Sequence, residues 1–214
     1  MISDFEHITS LFREIDQKLS RTVRLYIIGG AALLFYRMGK GYTKDIDVIV
    51  TGKKHGEVLS TALKKLHFSL THKPAAHGDL QIFEILEKED FRVDVFHTTV
   101  MRDFSLTKTM EKRAHPLLEL RFLSVLVCAK EDIFLFKSLA DREQDLEDSV
   151  DLIKTGLDWQ AIWNELQVQI RLCKDPAKRR TLVFFFLGRL LKLEEKGIHI
   201  PIKAKVEQLL DSLS

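Results

Sequence analysis

Residues 26–50, YIIGGAALLFYRMGKGYTKDIDVIV, together with FRVDVF at 91–96, decide how this chain folds. VRLYIIGG (23–30) is a β-branched and aromatic run that ends in two glycines, which predicts a strand closing in a tight turn. AALLFYRMG follows as a short helix stopped by Gly39. DIDVIVTG (45–52) then reads as a second strand, rich in β-branched residues and ended at Gly52.

Working outward, Phe5, Ile8, Leu11, Phe12, Ile15 and Leu19 recur at helical spacing, predicting a helix from Ser3 to Leu19. Lys54 to Leu66 has the same period. FSLTHK, LQIFEIL and FRVDVF are three strand-like runs separated by HKPAAHGD, which carries Pro74 and Gly78, and by the short polar EKED. Those separators predict antiparallel hairpins. After about residue 115 the pattern becomes helical: Ile133–Ile153, Asp158–Leu172, Ala177–Lys196 and Ala204–Leu213, with Pro176 and Pro201 near helix starts. The expected fold class is α+β, a mixed sheet flanked by helices and followed by a helical C-terminal part. The expected division is a catalytic core over 1–115 and a helical domain over 116–214 packed on it.

Composition narrows the function classes. The 214 residues are 45% apolar, enough for a substantial core, and the net charge of +2 announces no nucleic-acid-binding protein, although a local patch would suffice. Cys128 and Cys173 have neither metal-ligand nor disulfide-framework spacing, which suits a reducing cytosol. No apolar stretch reaches membrane-spanning length, since Arg189 and Lys192 interrupt TLVFFFLGRLL. The expectation is a cytoplasmic protein without a membrane partner.

The chemistry lies in the acids. Residues two apart on a strand share a face, so Asp45 and Asp47 stand side by side while Ile46 turns into the core. Paired carboxylates at the mouth of an apolar strand repel and are expensive to desolvate. A divalent cation removes that penalty, and Mg²⁺ suits hard oxygen ligands with room left for water and phosphate. Asp94, between Val93 and Val95, repeats the design on another strand and could join the same metal or a pair of metals. It is the candidate for the base that accepts a proton from an attacking hydroxyl. Gly29 and Gly30, at a strand end leading into a helix, would let a triphosphate approach the backbone. Thr43 offers a hydroxyl to the same phosphates.

The order strand, Gly-Gly, short helix, Thr-x-Asp-x-Asp strand and third acid resembles the core of the polymerase-beta-type nucleotidyltransferase superfamily, and within it the AbiEii-like group. That resemblance covers about residues 20–155. It implies that Gly29 and Gly30 contact nucleotide phosphates and that Asp45, Asp47 and Asp94 hold Mg²⁺. It extends to EDIFLFKSLADREQDLEDSVDLI, where similar proteins carry a pattern matched here by Asp132, Lys137, Ala140, Arg142, Asp145 and Asp148. Helical spacing independently puts Lys137, Asp141, Asp145 and Asp148 on one face, opposite Leu135, Leu139, Leu146, Val150 and Ile153. Lys137 would reach the phosphates with Asp145 or Asp148 holding it, or the face is a solvated ion-pair ladder. Two departures weaken substrate inference: Ala31 stands where relatives often have Ser or Thr, and Gly41 where many have Arg, with Lys40 or Lys44 as substitutes.

Weaker signals complete the reading. His72 and His77 share a loop with no further ligand pattern. Arg171, Lys174, Lys178, Arg179 and Arg180 form a basic cluster that would suit an RNA backbone or a solvated helix end. Phe184–Phe186 predict burial or a partner interface. The leading expectation is transfer of a nucleoside monophosphate from an NTP to a hydroxyl of RNA or tRNA, a protein or a small molecule. A toxin with an antitoxin partner is one version. A degenerate nucleotide-binding module and a metal-dependent phosphohydrolase are the alternatives.

Overall fold

The structure is a computed structural model that describes residues 5–36, 43, 45–72, 80–89, 91–140 and 142–213. The expected start of the first helix at Ser3, the stop of the AALLFYRMG helix at Gly39, and Pro74, His77 and Gly78 lie outside these residues.

Helix α1 (Phe5–Lys18) buries Ile8, Leu11, Phe12 and Ile15, the stripe its periodicity predicts. Strand β1 (Val23–Ile28) leads directly into α2 (Gly29–Phe35). Strand β2 (Asp45–Val50) returns antiparallel to β1, and α3 (Lys53–Lys65) follows it. Then come β3 (Ser69–Thr71), β4 (Leu80–Lys88) and β5 (Phe91–Met101), consecutive strands that pair antiparallel as the polar separators predict. A short β6 (Phe104–Ser105) pairs with β5, and α4 (Lys108–Arg113) follows, capped by the Thr107 hydroxyl, which accepts from the Met110 amide.

Beyond residue 115 the structure departs from the helical expectation. Strands β7 (His115–Glu119) and β8 (Leu123–Val127) form a hairpin, and β8 lies parallel to β1, between it and the edge strand β7. The sheet order is β3-β4-β5-β2-β1-β8-β7. LSVLV is a five-residue run, apolar but for Ser124 and buried at four of its positions, and it is too short for alternation to distinguish it from a helix segment. The expected division at 115/116 would part β8 from its hydrogen-bonded neighbour β1.

The remaining chain is helical. Helix α5 (Lys130–Ser138) and α6 (Glu143–Lys154) replace the single helix expected over 133–153. Helices α7 (Trp159–Leu172) and α8 (Pro176–Glu195) start at Asp158 and Asp175, whose carboxylates accept from the first-turn amides. Helix α9 (Lys203–Ser212) packs Val206 inward. Cys128 and Cys173 are buried free thiols, and no described helix is long and apolar enough to cross a membrane.

Strand β8 is hydrogen-bonded to β1 and buries Leu123, Val125 and Val127 on one face of the sheet, so a chain ending at residue 115 should not fold. The expected outcome is no cooperative thermal transition by circular dichroism for 1–115, against a sharp one for the full chain. A cooperative transition in the fragment would restore the division at 115.

Candidate active site

The acids meet because of strand register. Strand β2 runs parallel to β5 with Asp47 opposite Asp94 and Asp45 opposite Arg92. Directly opposed residues share a face of a sheet, so Asp47 and Asp94 are neighbours and Asp45 lies two residues along the same edge. On the other side of β2, Asp47 stands opposite Ile28, the last residue of β1. The next residue, Gly29, takes a φ of +63°, and a Cβ there would fall 2.0 Å from Asp47 Oδ2. This glycine is therefore required twice, once by its left-handed backbone and once by the carboxylate pressed against it. Gly30 is buried in the first turn of α2, whose cap residue Ile28 contributes no side-chain acceptor.

Electrostatics distinguish the three acids. Burial pushes the Asp47 carboxyl from 3.8 up to about 7, and the neighbouring Asp94 and Asp45 push the same way. Lys137 and Arg142 oppose the rise without cancelling it. No described residue hydrogen-bonds the Asp47 carboxylate. Asp94, only 2% exposed, is gripped instead by Arg92, with Nε donating to Oδ1 at 2.7 Å and Nη2 to Oδ2 at 2.8 Å. Arg92 Nε also lies 3.6 Å from Asp45 Oδ1 and 3.8 Å from Glu87 Oε1. Sequence reading puts Arg92, two residues before Asp94, on the same strand face but gives it no role in the site.

Two of the three carboxylates fit a hard divalent cation, because Asp47 is half-buried among acids and, among the described residues, has no bonded counter-charge. The third is engaged, and among the described residues no three acids, histidines or cysteines stand ready as a closed ligand set. Thr43 does not face open solvent. It is buried and its Oγ1 donates to the Asp45 carbonyl at 3.0 Å, which ties down the start of β2.

A second cluster comes from α5 and α6. Lys137 Nζ donates to Asp145 Oδ1 at 2.9 Å and to Asp148 Oδ2 at 2.5 Å, and all three side chains are buried. Arg142 adds bonds to both Asp145 oxygens, and Gln144 donates to Asp148. Burial pushes Asp145 up, but Lys137 and Arg142 override it and hold its carboxyl below the ordinary value. These pairs need the helix break. On one continuous helix, partners eight and eleven residues away would lie about 12 and about 16 Å along the axis, out of lysine's reach. Folding α6 back on α5 brings them to one ammonium. Asp132 is used elsewhere, fully buried and accepting from Arg113 Nη2 at 2.6 Å, which also donates to Glu165. Lys40, Gly41, Lys44 and Asp141 lie outside the described residues.

The weaker signals resolve into structure. Lys178 pairs with Asp103 and Arg179 donates to the Cys173 carbonyl, so two members of the basic cluster are occupied within the fold. Phe186 is buried while Phe184 is 62% exposed.

Two outcomes follow from this geometry. Gly29→Ala should destabilise the fold by about 1–3 kcal/mol in urea denaturation, through the positive φ and the clash with Asp47; an unchanged midpoint would show that Asp47 moves aside freely. For pH, the folded Asp47 carboxyl holds its proton more tightly than the unfolded one. The contribution of Asp47 to stability is therefore fully present below about 4 and is lost as pH rises through about 7. Asp47→Asn removes that titration, so its stability relative to wild type should increase across this window and then level off. Parallel stability-against-pH curves would contradict the assignment.

Solved structures of similar outline include ANT(2'')-Ia in complex with adenylyl-2''-tobramycin. That match has 16% identity and a TM-score of 0.49, and covers 77% of this chain and 95% of that one. JHP933 from Helicobacter pylori matches with 14% identity and a TM-score of 0.43, covering 100% and 98% respectively. No curated protein matches the sequence. Residues 5–181 do match a defined family, and the chain belongs to it: the family described as "Nucleotidyltransferase of unknown function (DUF6036)".

Proposed function

We propose that this nucleotidyltransferase uses Asp45, Asp47 and Asp94 to hold Mg²⁺ and transfers a nucleoside monophosphate from an NTP to an acceptor hydroxyl. The observation that carries the reading is the in-register Asp47–Asp94 pair beside Gly29, with Asp47 desolvated and unbonded. A structural role alone gives no reason to set a half-buried carboxylate directly beside a buried one. Bound Mg²⁺ would neutralise the triphosphate and the acids together.

In the transfer, the acceptor oxygen bonds to the α-phosphorus, the α–β anhydride bond breaks, and pyrophosphate leaves. The hydroxyl proton passes to a carboxylate oxygen of Asp94, which requires Arg92 to release that oxygen. The uncapped Gly29–Gly30 turn admits the phosphates closely. Lys137 and Arg142, braced by Asp145 and Asp148, set positive charge toward Asp47 and the departing pyrophosphate. Thr43 serves by fixing Asp45. The AbiEii-like relationship, a toxin role with an antitoxin partner, an RNA or tRNA acceptor and a cytoplasmic location belong to this proposal on the residue pattern alone.

One observation favours a second reading. The bidentate Arg92–Asp94 pair closes the third acid, as a degenerate nucleotide-binding module would. The test is label transfer from each α-³²P NTP with Mg²⁺ to total tRNA, other RNA and the protein itself. Asp45→Asn combined with Asp47→Asn is the control, expected to lose at least about 10²-fold in rate. Transfer that disappears in the control supports the transferase. NTP binding without transfer to any acceptor supports the module, and NTP hydrolysis without an acceptor would point to a phosphohydrolase.

A further inference from the structure

We propose that Arg92 is the resident counter-ion of the third acid, and that it and a divalent cation compete for the carboxylate of Asp94. The inference rests on the metal reading given above and adds a positioning residue to it.

The sheet lays out the competition in two rows. Glu87 on β4, Arg92 on β5 and Asp45 on β2 stand opposite one another in register. The next row holds Ile85, Asp94, Asp47 and Ile28. Arg92 thus stands between two acids of its own row and reaches diagonally into the second, where it takes both oxygens of Asp94. A carboxylate with both oxygens held by one guanidinium has surrendered its best-placed lone pairs. In its own row Asp94 stands between Ile85 on one side and the acid Asp47 on the other.

A cation that uses Asp94 must therefore lift the guanidinium from at least one oxygen. The row supplies a place for it to go. Glu87 Oε1 lies 3.8 Å from Arg92 Nε, and the Glu87 carboxylate is anchored by the Thr71 hydroxyl, which donates to Oε2 at 3.1 Å. Arg92 can shift toward Glu87 without losing a carboxylate partner, while Asp45 and Asp94 turn to the cation. Arg92 offsets part of the acids' charge before metal arrives and is redistributed along its row by the metal's arrival. Arginine suits the task because its planar fork grips two oxygens at once, a geometry lysine does not reproduce.

Mn²⁺ binding without nucleotide tests this, read by electron paramagnetic resonance of the free ion, with the Asp45→Asn, Asp47→Asn protein as baseline. Arg92→Lys keeps the charge and removes the two-pronged grip, so it should bind Mn²⁺ about three- to tenfold tighter than wild type. A residue acting only through its charge would leave that affinity unchanged, and this result would overturn the inference. Arg92→Gln should bind tighter still; thermal unfolding checks that it is folded, and Arg92→Lys decides the matter if it is not. Wild-type binding that Arg92→Lys leaves unchanged or weakens sinks the competition alone. No binding above baseline in any of these proteins overturns both the competition and the metal reading beneath it.

Discussion

The structure turns on one unfavourable contact: two carboxylates, Asp47 and Asp94, held opposite each other on adjacent parallel strands. Side chains in register on neighbouring strands cannot avoid one another, and like charges placed there destabilise the pair. Strand β5 could have reached the same apolar packing through Val93 and Val95 with a neutral residue between them. Keeping an acid there obliges the surroundings to answer its charge. Most of the distinctive features of the site are such answers.

The answers come from two directions. From within the sheet, Arg92 grips Asp94 on its own strand. From the helices, Lys137 and Arg142 lower the cost of charging Asp47 without bonding to it. That second group is itself a buried ion cluster, with Asp145 and Asp148 absorbing much of its positive charge. Buried ion pairs seldom add net stability over apolar packing, and removing one member leaves an uncompensated charge. A cluster of this kind is better explained by what it presents to its neighbours than by what it adds to the fold. The field it casts on Asp47 crosses from the helical part of the chain into the sheet.

Much of this was legible in the sequence. The spacing of Asp45 and Asp47, the glycine turn and the strand carrying Asp94 each follow from a period or a residue preference, and their order carried the fold class. Three features were hidden for physical reasons. LSVLV is short and apolar but for Ser124, so its pattern is too brief to separate an interior strand from a helical segment. The break between α5 and α6 has neither glycine nor proline to mark it, and it is drawn instead by tertiary ion pairs. Arg92 was visible as a neighbour of Asp94, but its bidentate grip depends on rotamer and on the register with Asp45 and Glu87, which local sequence does not encode.

The hidden features share a consequence for how the molecule is divided. A reading by local pattern separates a catalytic sheet from a helical remainder at residue 115. The structure ties the two together twice, through the backbone pairing of β8 with β1 and through the electrostatic reach of Lys137 and Arg142 to Asp47. The first tie sets the position of β1, and β1 sets Gly29 against Asp47. The second offsets part of the rise that burial and the neighbouring acids impose on the Asp47 carboxyl. Both act on the same carboxylate from residues beyond 115. The unit that determines the chemistry of Asp47 is therefore neither the sheet nor the helices alone, and substitutions in α5 or α6 should be read as substitutions in the site.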